Sequence, residues 1–189
     1  MSSDSRRFLL RRRTHPNHEQ LDHLIGPLDS LIAYRRYLRG VGAFRLAAEA
    51  AVQRNIWPDF LSDWRPTLVA SFILSDMEDL HETPPLVPSI EAVGSSSALM
   101  GLLYVMEGAS LGAKMLAVQA ETFGLTCDFG ARHLNAQISS PQNWRLFLNH
   151  LESMPEFDIE EATSSATMMF DHAVASVARL DNARESRFG

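Results

Sequence analysis

The run "RTHPNHEQLDH" (residues 13–23) sets three histidines among acidic and amide side chains, and one pair has a spacing with chemical meaning. His18 and Asp22 stand four residues apart, so on a helix they share a face. There the carboxylate can accept a hydrogen bond from one imidazole nitrogen and leave the other free to ligate a metal. The same spacing also describes a surface histidine paired with an acid, and spacing alone does not choose between the two.

The stretch "LYVMEGASLGAKML" (residues 103–116) poses a second question. It is rich in good helix formers, yet Gly108 and Gly112 interrupt it, each costing about 1 kcal/mol relative to alanine. Four residues apart, they strip the side chains from one face of the helix. Close packing of a second helix accounts for such a face. So does a flat macrocycle such as a porphyrin, which needs small residues where a helix crosses one side and an axial ligand on the other.

The remaining candidates are plainer. Glu78 and His81 have the i, i+3 form of a di-iron ligand pair, but they sit at a helix end beside Thr83, Pro84 and Pro85. Cys127 is alone, so there is no disulfide framework and no cysteine-based metal centre, which fits a reducing cytoplasm. His133 falls in a polar connection, and His150 and His172 fall on helical faces expected to be exposed. Trp57, Trp64 and Trp144 read as core.

The elements that must position these residues are helices. Strand alternation and hairpin turns are scarce while helical periodicity is frequent, which predicts an all-α fold. At 189 residues a single domain over residues 1–189 is expected, with 1–4 and 181–189 frayed. Pro16 is expected to end a first helix over 5–23 near Thr14, or to start or kink one there, and Gly40 and Gly42 to break or loosen a second. Asp63 is expected to cap a helix carrying Pro66 in its first turn. Residues 95–97 open the glycine-bearing helix, which runs to about Phe123 and stops at Gly124. Ser140 and Pro141 open the next helix, Pro155 lies beyond its end, and a last helix covers 159–180.

Charge narrows the partners. A net charge of −6 argues against a general nucleic-acid binder. Five arginines within residues 6–13 nevertheless make a local basic patch, suited to an anionic ligand or simply to solvent. No apolar run approaches the roughly 18 residues of a membrane span, and the N-terminus lacks the apolar segment of a signal peptide. A soluble cytoplasmic protein, bound to neither membrane nor nucleic acid, is expected.

Taken in order, "LRRRTHPNHEQLD", "YRRYLRGVGAFRLAAE", "DWRPTLVASFILSDMEDL", "LLYVMEGASLGAKML" and "NWRLFLNHLE" resemble the biliverdin-producing heme oxygenase family, in particular its bacterial, phytochrome-associated members. The resemblance covers most of the chain, and the fourth block is its most specific part.

The resemblance implies a single-domain, multi-helix heme oxygenase-like fold. His18 would be the axial ligand of the heme iron, with Asp22 as its hydrogen-bond partner. Gly108, Ser110 and Gly112 would line the distal face as catalytic positions. Ala109 would also meet the heme; some family members carry an aspartate there, and Ser110 would be the partial stand-in for it. Arg11 and His15 would reach the heme propionates. Heme would be both substrate and cofactor, cleaved with O2 and an external electron donor, a ferredoxin or a reductase, to biliverdin, CO and ferrous iron. The bilin would supply a bacteriophytochrome. The alternative is a catalytically silent relative that binds heme, a bilin or a protein partner.

Overall fold

The computed structural model describes residues 5–86 and 88–188, with side chains as far as Asp181. Ser5 opens α1 (Arg6–Ile25) by accepting the Phe8 amide on its hydroxyl. Pro16 lies inside this helix and neither ends nor starts it. Its ring removes one backbone donor, but α1 is held from outside on both sides of the gap. Leu10 and Thr14 are buried before it. Beyond it, Asn17 bonds Asp171 at 3.1 Å and His18 meets Phe170, both on the last helix, α8 (Ile159–Phe188).

Ser30 caps α2 (Leu31–Arg54), which runs unbroken through Gly40 and Gly42. A methyl on Gly40 would stand 2.8 Å from Val177 Cγ2 and one on Gly42 2.9 Å from Met77 Cε. These glycines admit neighbouring helices, so packing supplies what propensity withholds. Asp63 does not cap α3 (Ala70–Asp79), and Pro66 lies outside it. The opening amides are capped from α2: Glu49 accepts Val69 N–H at 2.8 Å and Ala70 N–H at 2.9 Å.

The glycine-bearing segment is two helices, α4 (Ser96–Gly108) and α5 (Ser110–Glu121), bent at Ala109. Gly124 follows with φ +79°, the left-handed stop expected of it. Taken end to end, Ser96–Glu121 is long and apolar enough to cross a membrane by length and composition, a match that Glu107, Ser110 and Lys114 obscure in the sequence. The α4 half is nevertheless core, with Leu99, Met100, Leu102, Leu103 and Met106 buried.

A short helix, α6 (Arg132–Ile138), replaces the expected polar connection. It buries His133, whose Nδ1 lies 2.7 Å from Asp76 Oδ2. Next comes α7 (Asn143–Ser153), with Pro155 beyond its end. His150 is half-buried against Trp64, and His172 is half-buried with Nε2 2.8 Å from the Pro88 carbonyl, so neither face is open as expected. Instead of fraying at 181, α8 continues to Phe188, and Asp181 accepts two bonds from Arg36 at 2.8 and 2.7 Å. Residues 1–4 lie outside the described residues.

α8 is the axis of the fold, with α1, α2 and α4 packed along it. Contacts along α1 climb α8, from Arg13–Glu160 to Asn17–Asp171. Those of α4 climb it as well, from Ser97–Asp158 to Gly101–Ala162, so both helices run parallel to α8. Those of α2 descend, from Arg36–Asp181 to Phe44–His172. Among the described residues there is no strand, only isolated bridges from Thr126 to Phe129 and Gly130.

Candidate functional site

On α1, His18 Nδ1 lies 2.9 Å from Asp22 Oδ2, which leaves Nε2 as the available nitrogen. The imidazole is 59% exposed and meets the Phe170 ring edge-on at 5.7 Å. Phe170 therefore marks the height of His18 along α8. On α4, Gly101 meets Ala162. Seven residues further, a rise of about 10 Å on a helix parallel to α8, Gly108 is expected near the level of Met169 and Phe170. Parallel packing on one axis thus places His18 and Gly108 at a similar height.

A second contact agrees. Tyr104, one turn before Gly108, lies beside Thr14, one turn before His18; burial raises the Tyr104 pKa, opposed by Arg7, Arg11 and the Thr14 contact. Tyr104 also packs on Trp144 at 5.7 Å.

The two glycines are not packing sites. Outside its own helix backbone and chain neighbours, no described atom lies within 4 Å of where a Gly112 Cβ would stand, and at Gly108 the nearest is the Trp144 ring at 3.8 Å. Leu111, Met115 and Val118 share this helical face and are 63%, 65% and 57% exposed. The opposite face of α5, Ala113, Ala117 and Ala120, is buried. The segment therefore presents bare backbone and an apolar stripe that the described protein does not cover.

The other expected site residues are less suitably placed. Ser110 Oγ donates to the Glu107 carbonyl at 2.6 Å, so its proton is spent on its own helix. Ala109, at the bend, offers only a methyl group and backbone. Arg11 and His15 fall on the same exposed stripe of α1 as His18, but His15 Nε2 faces Glu19 Oε1 at 3.4 Å. Glu78 and His81 are exposed, and among the described residues no group of three or more His, Cys, Asp or Glu could hold a metal ion. Two cavities, of about 130 Å³ beside Arg35 and Arg39 and about 340 Å³ beside Arg54 and Ser95, lie away from this face.

Sequence reasoning missed a buried polar cluster behind the bend. Arg45 donates to Glu49 Oε1 at 2.8 Å, and to the carbonyls of Met106 and Thr67 at 2.5 Å each. Glu107 accepts the Thr67 amide at 2.6 Å and Asn143 Nδ2 at 3.1 Å. Burial raises the Glu107 pKa, against the lowering effect of these hydrogen bonds and of Arg45. The available signals were the i, i+4 pair Arg45 and Glu49, and a carboxylate inside an otherwise apolar helix.

No family model matches the chain, and no curated protein does. Among solved structures it is similar to the heme oxygenase of Neisseria meningitidis seen in its NO- and CO-bound crystal structures, with a TM-score of 0.74 and 22% identity over 94% of this chain and 92% of that one. The all-α architecture read from helical periodicity is the fold of that bacterial heme oxygenase.

Proposed function

We propose that the protein is a soluble, cytoplasmic heme oxygenase that holds heme between α1 and the α4–α5 bend. The observation that carries this reading is the open glycine face that begins at Gly108, one turn beyond Tyr104 as His18 is one turn beyond Thr14, the partner of Tyr104. The residues fit the group: an imidazole fixed by a carboxylate stands on one side, and uncovered backbone with an apolar stripe on the other. Bound heme would supply the iron that activates O2 and the meso carbon that is oxidised, with a ferredoxin or reductase as electron donor and biliverdin, CO and ferrous iron as products.

The chain's own residues divide the remaining work. His18 ligates, and Asp22 orients its ring and raises its basicity. Gly108 and Gly112 let backbone approach the macrocycle, Trp144 walls one edge, and Leu111, Met115 and Val118 keep water from its face. Arg11, with Arg7 beside it at Tyr104, offers positive charge to the propionates. Ser110 retains lone pairs to accept a hydrogen bond on the distal side. A bacteriophytochrome is the proposed recipient of the bilin.

A binding-only reading is favoured by one observation, that Ala109 has no polar side-chain atom and the Ser110 proton is already engaged. Hemin-loaded protein supplied with reduced ferredoxin or ascorbate in air separates the two. Conversion to a biliverdin spectrum is expected; heme that stays bound and unconverted supports the silent relative.

A further inference from the structure

We infer that Arg45 and Glu107 are positioning residues for the heme site: from the core side of the α4–α5 bend they set the angle at which Gly108 and Gly112 face the macrocycle. The inference rests on the heme-binding reading above. Carbonyls at a helix bend lose regular intrahelical geometry and need other donors. Here the Met106 carbonyl receives the Arg45 guanidinium at 2.5 Å and the Glu107 carbonyl receives Ser110 Oγ at 2.6 Å. Arg45 and Glu49 are both buried, so this donor is fixed, and Glu49 ties it onward to the amides that open α3.

The Glu107 side chain adds a second restraint. Its two oxygens take the Thr67 amide and Asn143 Nδ2, which belong to separate segments. Asn143 immediately precedes Trp144, whose ring is the group nearest to Gly108. One carboxylate therefore registers the bend against both the wall of the site and the strand of chain leading into α3. An apolar residue at 107 would suit the surrounding core, beside Met106 and Leu103, but would leave both donors without their acceptor.

The leverage is appreciable. Gly112 lies three residues past Ala109, about 4.5 Å along the helix. A tilt of about 10° at the bend then moves it by about 0.8 Å, close to the misplacement that can cost about a hundredfold in rate.

The test compares wild type with Glu107→Leu, Glu107→Gln and Asn143→Ala. Amide hydrogen exchange at residues 110–112 is read in the apo proteins, and the C–O stretch of the ferrous CO complex in the hemin-loaded ones. Glu107→Leu is expected to speed exchange at these amides by about tenfold or more, the equivalent of a lost hydrogen bond to a charged group, and to shift the C–O stretch. Glu107→Gln, which keeps an acceptor for Thr67, is expected to return both toward wild type. A Glu107→Leu protein that melts lower but shows wild-type exchange and an unshifted stretch would overturn the inference, leaving Glu107 a purely structural residue. Should Glu107→Leu fail to fold, Asn143→Ala, which deletes one donor only, carries the same expectation and the same refutation. Wild type that binds no hemin would overturn the heme reading, and the apo exchange result would still decide whether Glu107 holds the bend.

Discussion

Gly101 and Ala162 meet backbone to backbone: a methyl on Gly101 would stand 2.8 Å from the Ala162 carbonyl carbon and overlap its oxygen. Eleven residues on, a Cβ at Gly112 would meet no described atom within 4 Å beyond its own helix backbone and chain neighbours. The α4–α5 segment thus carries a packing glycine on α4 and an uncovered one on α5. Gly101→Ala is expected to cost at least about 1–3 kcal/mol by overpacking. Gly112→Leu should leave the apo protein as stable as wild type or up to about 1 kcal/mol more stable, by helix propensity, while losing hemin binding. Thermal melts read beside hemin titrations check this; a destabilised Gly112→Leu with normal hemin affinity would return the glycine to a packing role.

Asp22 should act through His18. Asp22→Ala removes the acceptor 2.9 Å from Nδ1. Hemin affinity or turnover is expected to fall about 10- to 100-fold, the usual scale for the partner of a ligating histidine. Equal titration curves for the two proteins would remove Asp22 from the site.

Glu107 makes stability depend on pH with a definite sign. Its folded pKa is raised above the usual glutamate range, chiefly by burial, so the native state holds its proton more tightly than the unfolded chain. This contribution is fully present below the unfolded pKa and is lost as pH rises from there through the folded pKa. Glu107→Gln cannot titrate. Its melting temperature is therefore expected to gain on wild type as pH climbs from about 4 toward neutrality, and a constant difference across that range would contradict the assignment.

Pro16 sits in the interior of α1 without a backbone donor. Pro16→Ala is expected to stabilise the protein by up to about 3 kcal/mol, read as a higher midpoint in denaturant. A lower midpoint would show that the proline ring itself contributes to packing.

Much of this was legible locally. The His18 and Asp22 pair follows from spacing alone, and the structure shows the bond. Ser95 caps α4 as its place before an apolar run implies, whereas Ser140 does not cap α7, which starts at Asn143 without a side-chain cap. What failed was non-local. α3 takes its cap from Glu49, which is 20 residues away, so Asp63 was a reasonable but wrong choice. Gly40 and Gly42 read as breaks because the helices they admit are invisible in a linear pattern. His133 read as a loop residue because its partner Asp76 is 57 positions distant. The bend at Ala109 is missed for the same reason: the groups bonded beside it, Arg45 on the Met106 carbonyl and the Thr67 amide on Glu107, come from other segments.

The central claim, that His18 and the glycine face hold heme between them, is tested most directly by titrating ferric hemin into wild type and His18→Ala while following the Soret band. Wild type is expected to saturate with an imidazole-ligated spectrum. His18→Ala should lose that spectrum and recover it when free imidazole is added. An unchanged spectrum and affinity in His18→Ala, or their loss in His15→Ala or His23→Ala instead, would contradict the account.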